Sequence, residues 1–344
     1  MRDSAVDLPR WGFAFPGRLR DELTALALAG RKTTTAGLLV EFELDGDPVP
    51  RPGERAILLD SAERPVAIIE TVTCRVVRLA DVDDRHAIDE GEGYANAREF
   101  RVAHERHWNG NIDELRERLG EPGFAISDDT QIVVERFRVL VRLDTPPGQM
   151  QVRLAASSEI PVLAGVLARA FANDPMVRWP MVSGDRLPTR IRTMFEIIDT
   201  SLAGEGWMYT AGEGLGAMSL MPPGSAQREQ ELADTNAPAL AALTPDRGER
   251  YERFWAWVSS MLPPEPHWLL DEIAVEPAAQ GRGIGGAMLR FAIECAARQG
   301  LPLCLETGQP GNVALYERFG FRVMREADAP GGGPHIWFMQ RDPG

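Results

Sequence analysis

The sequence predicts two domains: an N-terminal α+β domain with a curled sheet or barrel, and a C-terminal α/β domain with a mixed central sheet. Length is the first reason, because 344 residues exceed what one hydrophobic core usually holds. The second is a Pro-Pro-Gly segment at residues 144–149, after which the hydrophobic pattern restarts. These observations place the domains at residues 1–145 and 150–344.

The first domain opens with an amphipathic helix at residues 16–29, where leucines recur at helical spacing. Segments rich in Val, Ile and Leu at residues 55–59, 65–77 and 130–143 predict strands. A polar helical region at residues 96–119 separates the last two strands. This combination indicates a small α+β domain.

The second domain alternates strands and helices around a long polar insert. Strands are predicted at residues 150–154, 206–210, 215–221, 267–275 and 301–306, and a strand pair near the end. Helices are predicted at residues 158–171, 187–202, 229–261, 286–299 and 312–318. Such an order indicates a sheet with helices packed against it.

Composition excludes several classes of protein. With 44% hydrophobic and 26% charged residues, the chain has the composition of a globular protein and not of a disordered one. It has no apolar run of about 18 residues and no signal-peptide pattern, so we expect a cytoplasmic protein. The net charge of -14 opposes non-specific nucleic-acid binding. The 3 cysteines are widely spaced, which predicts neither a disulfide framework nor a metal site.

A glycine-rich turn follows a predicted strand and opens a predicted helix. Glycines let backbone N–H groups approach a phosphate, and a helix N-terminus adds partial positive charge, so the pattern predicts an anion site. The turn lacks both the Lys-Ser/Thr of a P-loop and the early position of a dinucleotide fold. A turn without a ligand is the alternative. The candidate binding residues are Gln280, Gly281, Arg282, Gly283, Ile284, Gly285 and Gly286.

This turn resembles the Gln/Arg-x-x-Gly-x-Gly/Ala signature of the GNAT acetyltransferases, which grips the pyrophosphate of acetyl-CoA. Residues 270–277 upstream read Leu-Asp-Glu-Ile-Ala-Val-Glu-Pro, and residues 312–321 contain an Asn-x-x-x-Tyr-Glu-Arg-x-Gly-Phe run. The resemblance implies a GNAT fold, acetyl-CoA as the acetyl donor and a small-molecule amine as the acceptor.

The resemblance also implies roles for residues on both sides of the turn. Tyr316 is the implied general acid that protonates the leaving thiolate, and Asn312 belongs to the same cofactor-binding run. Ile273, Ala274 and Val275 form the strand beside the cofactor, with the Val275 N–H near the thioester oxygen. The alternative for Tyr316 is a core aromatic of a short helix.

Three carboxylates are candidates for the general base. Asp271 and Glu272 are adjacent on a predicted strand, so side-chain alternation allows only one of them to face the site. Glu306 ends the neighbouring strand. Glu272 is the candidate catalytic residue. The alternative is a surface role for all three, with water carrying the proton and proximity supplying most of the acceleration.

Within the GNAT family, residues 151–342 resemble the puromycin N-acetyltransferases. The matching stretches are the glycine-rich turn, Trp268 and residues 170–175, 305–307 and 336–339. Gly308 and Gly311 stand where those relatives carry Ser and Arg, and the insert at residues 229–261 aligns poorly. Both differences fall where the acceptor would bind, which argues against puromycin itself as the substrate.

Lys32 is the only lysine in the chain, and lysine is a point charge whose pKa burial can change. Lys32, the threonines that follow it and the Glu-Gly-Glu-Gly run at residues 90–93 form a pattern. By this pattern, residues 10–142 or so resemble the ASCH domain. The resemblance implies a barrel like that of PUA RNA-binding domains. One branch hydrolyses N4-acetylcytidine with a lysine, a threonine and a glutamate, which match Lys32, Thr35 and either Glu92 or Glu90.

Together these patterns predict a two-domain enzyme. Residues 150–344 acetylate an amine with acetyl-CoA, and residues 1–145 bind or deacylate a nucleoside-like or RNA ligand. In the deacylation hypothesis the lysine activates the threonine hydroxyl as a nucleophile, and the glutamate moves protons. A binding-only N-terminal domain is the alternative for that half. For the whole chain, the alternative is a non-catalytic sensor of acetyl-CoA and a nucleotide or RNA.

Overall fold

The computed structural model describes residues 8–144 and 151–343, and these two stretches are the described parts of two compact units. Apart from Asp144, the predicted linker at residues 144–149 lies outside the described residues. No helix among the described residues is long and apolar enough to cross a membrane.

The N-terminal unit contains five strands and five α-helices within residues 8–144. Its elements are β1 (Arg10–Trp11), α1 (Arg18–Leu28), β2 (Thr34–Leu38), α2 (Leu39–Asp45), β3 (Arg55–Leu59), β4 (Pro65–Arg78), α3 (Asp84–Asp89), α4 (Ala97–Gly110), α5 (Ile112–Leu119) and β5 (Gln131–Arg142). Four short elements were not predicted from the sequence: β1, β2, α2 and α3.

The strands of this unit form one open sheet in the order β1-β3-β4-β5-β2. Within residues 8–144 the two edge strands do not pair with each other, so the barrel expected from the sequence is not confirmed. Helix α1 covers one face, where Leu23 and Ala27 pack against Phe137 of β5. Helices α3 and α4 cover the other face, where Phe100 packs with Ile132. Residues 132 and 137 lie on opposite faces because successive strand side chains alternate.

The C-terminal unit contains seven strands and seven α-helices within residues 151–343. Its elements are β6 (Val152–Leu154), α6 (Ile160–Ala170), α7 (Pro175–Arg178), α8 (Leu187–Gly204), β7 (Met208–Ala211), β8 (Gly216–Met221), α9 (Ala226–Ala241), α10 (Glu249–Met261), β9 (Trp268–Val275), α11 (Ile284–Gln299), β10 (Leu303–Thr307), α12 (Pro310–Glu317), β11 (Arg322–Asp328) and β12 (His335–Arg341). The predicted helical insert is two helices, α9 and α10.

These strands form one sheet in the order β11-β12-β10-β9-β8-β7-β6. Only β9 and β10 run parallel among the described pairs, and the others are antiparallel. The predicted mixed sheet is therefore confirmed. Helices α6 and α8 pack on one face, where Leu163, Phe195 and Ala217 share a core. Helix α11 lies so close to β8 that a Cβ on Gly216 would come within 2.8 Å of Ile284.

Candidate functional site

Strands β9 and β10 are paired at their N-terminal ends and separate toward their C-terminal ends. Their parallel register contains the pairs Trp268–Leu303 and Leu269–Cys304, which lie at the start of each strand. Beyond them no ladder pair joins the two strands in the described residues. The C-terminal ends of both strands therefore border a gap in the middle of the sheet.

Backbone donors of β9 face this gap. The Glu276 N–H donates to the Leu215 carbonyl at 2.7 Å, and Val275 is paired with Gly216. In an antiparallel ladder that hydrogen bond makes Val275–Gly216 a non-hydrogen-bonded pair, so the Val275 N–H points away from β8. Ile273, two residues earlier, has the same orientation, whereas Ala274 between them faces β8. The Val275 N–H thus points toward the side on which the sequence analysis expects the thioester oxygen.

The glycine-rich turn begins where β9 ends. Gly281 and Gly283 have φ values of 75° and 85°, a left-handed conformation that favours glycine. A Cβ at either position would have no heavy atom within 4 Å, so the space beside them is open. Gly283 is the residue before α11, and Ile284 anchors the first turn in the core. The turn therefore presents backbone to open space at a helix N-terminus, an arrangement suited to a phosphate group.

Four further residues of the turn were candidates. The Gln280 side chain donates to the Val275 carbonyl at 3.3 Å, which ties the turn to the end of β9. Gly285 and Gly286 have ordinary backbone angles and lie within the first turn of α11. Arg282 lies between the two left-handed glycines. All of the predicted turn residues are thus in one segment.

A buried ion pair, missed by the sequence analysis, fixes the end of β9. Glu276 is 1% exposed, and its carboxylate accepts from Arg169 of α6 at 2.6 Å and 3.0 Å. Two-point contacts between guanidinium and carboxylate are directional and strong. This pair therefore holds α6 against the strand end from which the glycine-rich turn departs.

A cavity of about 150 Å³ opens on the α8 side of the gap. It combines apolar and aromatic walls with several acidic side chains, and no Lys, Arg or His lines it. Its lining residues are Phe171, Asp174, Met176, Val177, Met194, Phe195, Ile198, Tyr251, Trp255, Leu270, Asp271, Glu272, Ile273, Glu306, Thr307, Asn312 and Tyr316. Predicted residues from β9 and α12 thus meet at one cavity.

Tyr316 and Asn312 lie on α12, beside the end of β10. The Asn312 amide donates to Thr307 Oγ1 at 3.3 Å, which holds the helix against the strand. Tyr316 is buried. Burial, with Glu306 and Asp174 nearby, raises its pKa well above the usual value. The phenol is therefore protonated at neutral pH, as a general acid must be.

Four carboxyl groups form what we call the carboxyl cluster: Asp271, Glu272 and Glu306 line the cavity, and Asp199 of α8 is buried next to Glu272. The expectation that only one of Asp271 and Glu272 faces the site is wrong. A bulge opposite β8 leaves Asp271 as an extra residue, because Ser219 pairs with Glu272 and Leu220 with Leu270. Ser219 Oγ also donates to Asp271 at 3.3 Å, so both carboxyl groups lie on its side of the sheet.

Burial raises the pKa of every member of the carboxyl cluster. It raises the pKa of Asp199 to about 8 and that of Asp271 to about 6. The pKa values of Glu272 and Glu306 are also well above the usual range, because burial and neighbouring acids both disfavour charge. The neighbouring Asp199 carboxyl also disfavours charge on Glu272, which adds to the effect of burial on its pKa.

The sequence analysis missed Asp199, although a signal was present. The apolar stripe of α8 carries Ile191, Phe195 and Leu202, and Asp199 falls on the same stripe four residues after Phe195. It is 0% exposed. The sequence could therefore have indicated a buried acid on α8, but it could not have indicated which residues of β9 lie beside it.

In the N-terminal unit, Lys32 forms a second buried group with Glu90 and Glu92, which we call the lysine cluster. Lys32 is 1% exposed and donates to both carboxylates, at 2.6 Å for Glu92. Its ammonium also lies 5.2 Å from the centre of the Phe13 ring. The structure thus brings Lys32 together with both glutamates between which the sequence left a choice.

The two glutamates of the lysine cluster titrate differently. Burial would raise the pKa of Glu90, but Lys32 and His86 outweigh it and lower that pKa to about 2. Burial raises the pKa of Glu92 above its usual value despite the attraction of Lys32. Paired carboxyl groups with separated pKa values are a common acid–base arrangement. Glu92 also accepts from the Tyr94 hydroxyl at 3.0 Å.

Close backbone packing builds the lysine cluster. A Cβ on Gly91, which has a φ of 70°, would lie 2.3 Å from the Arg31 carbonyl oxygen. Only glycine allows this approach, which sets Glu90 and Glu92 beside Lys32. Thr35 is not part of the group: it is paired with Glu135 on β5, and within residues 8–144 its hydroxyl makes no hydrogen bond to Lys32.

Comparison with known proteins agrees with this division of the chain. A family model described as "ASCH domain" matches residues 10–141, and one described as "Acetyltransferase (GNAT) domain" matches residues 247–323. A crystal structure described as histone acetyltransferase HPA2 and related acetyltransferase from Corynebacterium glutamicum is 24% identical, with a TM-score of 0.45, over 57% of this chain and 98% of that chain.

Two further solved structures each match a smaller part of the chain. An ASCH domain from Lactobacillus crispatus is 22% identical, with a TM-score of 0.34, over 39% of this chain and 79% of that one. A protein from Enterococcus faecalis is 23% identical, with a TM-score of 0.34, over 39% of this chain and 76% of that one. On the strength of the two family models, the chain joins an ASCH domain to a GNAT acetyltransferase domain.

Proposed function

We propose that the C-terminal unit transfers an acetyl group from acetyl-CoA to a small-molecule amine. One observation carries the proposal: the left-handed glycine turn, the gap beside β9 and the cavity that holds Tyr316 follow one another along the same strand. A pyrophosphate group fits the glycine turn, and an amine fits the cavity. The GNAT family model covers the turn and Tyr316.

The chain's own residues supply proton transfer and positioning. Acetyl-CoA brings the acetyl group as a reactive thioester. The Val275 N–H, which faces the gap, is a donor for an oxygen that gains negative charge. Glu272 is the proposed acceptor of the proton that the nitrogen loses, and it acts in its ionised form, which a positively charged acceptor nearby favours. Tyr316 donates a proton to the leaving sulfur and regains one from water.

The acetyl donor is testable by calorimetry. Gly283→Ala puts a Cβ where backbone would approach phosphate, and Gly300→Ala is the matched control. Gly300 ends the same helix with a φ of 63° and equally open space, so both variants carry similar backbone strain. We expect Gly283→Ala alone to weaken acetyl-CoA binding, by about tenfold or more. Equal affinities for the two variants would contradict the phosphate site.

The resemblance to puromycin N-acetyltransferases adds one candidate class of acceptor, the aminonucleosides. Gly308, where those relatives carry Ser, packs tightly here. A Cβ at this position would come within 2.8 Å of Met176, a cavity-lining side chain. The acceptor cavity of this chain is therefore shaped around Met176, which supports an acceptor other than puromycin.

For the N-terminal unit we propose binding of a nucleoside-like ligand, with hydrolysis of an N-acyl group as the candidate reaction. The observation behind it is the buried lysine cluster, in which Glu92 has a raised pKa beside a fixed ammonium. Glu92 would move protons, whereas Thr35, the nucleophile expected from the sequence, lies outside the lysine cluster, so we assign it no role. Incubation with N4-acetylcytidine tests this: release of acetate that Glu92→Gln abolishes supports it, and binding without release supports a binding domain.

A further inference from the structure

The walls of the acceptor cavity contain several acidic side chains and no basic one. Within residues 151–343, no Lys, Arg or His side chain forms an ion pair with any member of the carboxyl cluster. By contrast, Glu276, only a few residues along β9, is paired with Arg169. The missing counter-ion is therefore a local feature of the cavity.

Several oxygens of the carboxyl cluster also lack donors. Oε2 of Glu272 and Oε2 of Glu306, which belong to cavity-lining residues, are buried and have no hydrogen-bond partner among the described residues. The same holds for both oxygens of Asp199, which lies behind the cavity wall. Asp199 is 0% exposed. Buried acceptors without donors cost free energy, which a ligand carrying N–H donors would recover.

Aromatic rings complete the cavity. On one wall, the ring centres of Phe171 and Phe195 are 5.7 Å apart. On another, the ring centres of Tyr251 and Trp255 are 6.2 Å apart. The faces of aromatic rings attract organic cations. A volume of about 150 Å³ corresponds to roughly five water molecules, which suits a short chain. Among the described residues no three of these acids are arranged to hold a metal ion.

We propose that the acceptor carries a second positive charge besides the amine that is acetylated, and that Asp271 and Glu306 bind it between the aromatic walls. This inference rests on the proposed acetyl transfer. It names the substrate class as short aliphatic diamines and related dications. Asp271 and Glu306 are then specificity residues, whereas Glu272 is the base.

The test compares 1,4-diaminobutane with pentylamine, in which a methyl group replaces the second ammonium at nearly the same length. CoA release by the full chain gives kcat/KM for each. We expect the diamine to be preferred by about 10- to 100-fold, as for hydrogen bonds to a buried charge. Asp271→Asn and Glu306→Gln should each reduce that preference, through KM more than kcat. Glu294→Gln, on the exposed side of α11, is the matched control and should keep it.

Three results would count against the inference. Equal or faster turnover of pentylamine would overturn it while leaving acetyl transfer intact. An unchanged preference in both Asp271→Asn and Glu306→Gln, with melting temperatures like that of the parent, would exclude these residues as the binding site. Turnover of no amine at all would contradict the proposed function, and the inference would fail with it.

Discussion

Each unit of this protein buries a group of carboxylates, and the two groups are neutralised differently. In the lysine cluster, Lys32 lies between Glu90 and Glu92 and donates to both. In the carboxyl cluster, Asp271, Glu272 and Glu306 line a cavity that no Lys, Arg or His side chain lines. The first cluster contains its own counter-ion. The second does not, and it faces a cavity.

The difference indicates what each cluster is built for. Burying an unpaired charge is costly, so a chain either supplies a partner or keeps the group neutral. Lys32 keeps Glu90 ionised, as its pKa of about 2 indicates. The acids at the cavity have raised pKa values and gain from a cation that arrives from outside. The lysine cluster, which contains its own cation, is suited to holding a fixed arrangement of charges. The carboxyl cluster, which lacks a cation, is suited to binding a basic substrate.

The largest effect is expected at Tyr316, which lies next to Glu306 at the cavity. Tyr316→Phe keeps the ring and removes the hydroxyl, so kcat should fall by about 10²–10⁴-fold while acetyl-CoA affinity holds. Stopped-flow measurement of CoA release and calorimetry give the two values. Unchanged kcat would mean that water protonates the sulfur.

The next effect concerns the counter-ion of the lysine cluster. Lys32→Met leaves two carboxylates buried without their partner and should destabilise the N-terminal unit by about 3–5 kcal/mol. The double variant Lys32→Met/Glu90→Gln should lose less, because it removes both charges of one pair. Denaturant unfolding measures both. Acetyl transfer by the folded Lys32→Met protein should match the parent, and a parallel loss of it would break the separation of the two clusters.

A smaller effect, about 1–3 kcal/mol, is expected in how pH changes the stability of each unit. The lowered pKa of Glu90 stabilises the N-terminal unit above about pH 4.3, and this is lost as pH falls toward 2. The raised pKa values of the carboxyl cluster have the opposite effect: they stabilise the C-terminal unit at low pH, and this stability is lost as pH rises. Their contribution is full below about pH 4 and is lost as pH rises through about 6 for Asp271 and 8 for Asp199.

Hydrogen exchange followed by mass spectrometry separates the two units in one experiment. The titratable groups that face Asp271 and Asp199 are Glu229 of α9, Tyr251 of α10, Glu272 of β9 and Glu306 of β10. Asp271→Asn should flatten the response of the C-terminal unit between pH 4 and 6 and leave the N-terminal response alone. The same slope in both units would contradict the contrast between the clusters.

The smallest effect is expected when the N-terminal unit is removed. A protein that begins near residue 150 contains every residue assigned to acetyl transfer, so kcat/KM should stay within about twofold of the full chain. Circular dichroism checks that it folds. Loss of acetyl transfer in a folded protein would mean that the first unit contributes to that site.

Sequence reasoning went furthest where chemistry is local in the chain. The glycine-rich turn and its helix were predicted within a few residues, because glycine, strand and helix signals are adjacent. Lys32 was singled out by composition alone. Contacts between distant segments were harder to predict. Asp199 and Glu272 are far apart in sequence, and the bulge at Asp271 depends on the register with β8, which strand alternation does not reveal.

The N-terminal sheet shows the same limit. Strands β3, β4 and β5 were predicted close to their observed bounds, but whether a sheet closes depends on its edges. Here one edge is β1, which has only 2 residues, and no hydrophobic pattern in the sequence predicts so short a strand. The pairing of Thr35 with Glu135 on β5 was equally hidden.

The most direct test of the central claim is turnover of acetyl-CoA by the full chain with a panel of amines that includes diamines, monoamines and aminonucleosides. Release of CoA and the mass of the product are followed together. The account predicts one CoA released for each N-acetylated amine formed, with a basic amine as the best acceptor. Tight binding of acetyl-CoA without CoA release from any amine would contradict it and would identify a ligand sensor instead.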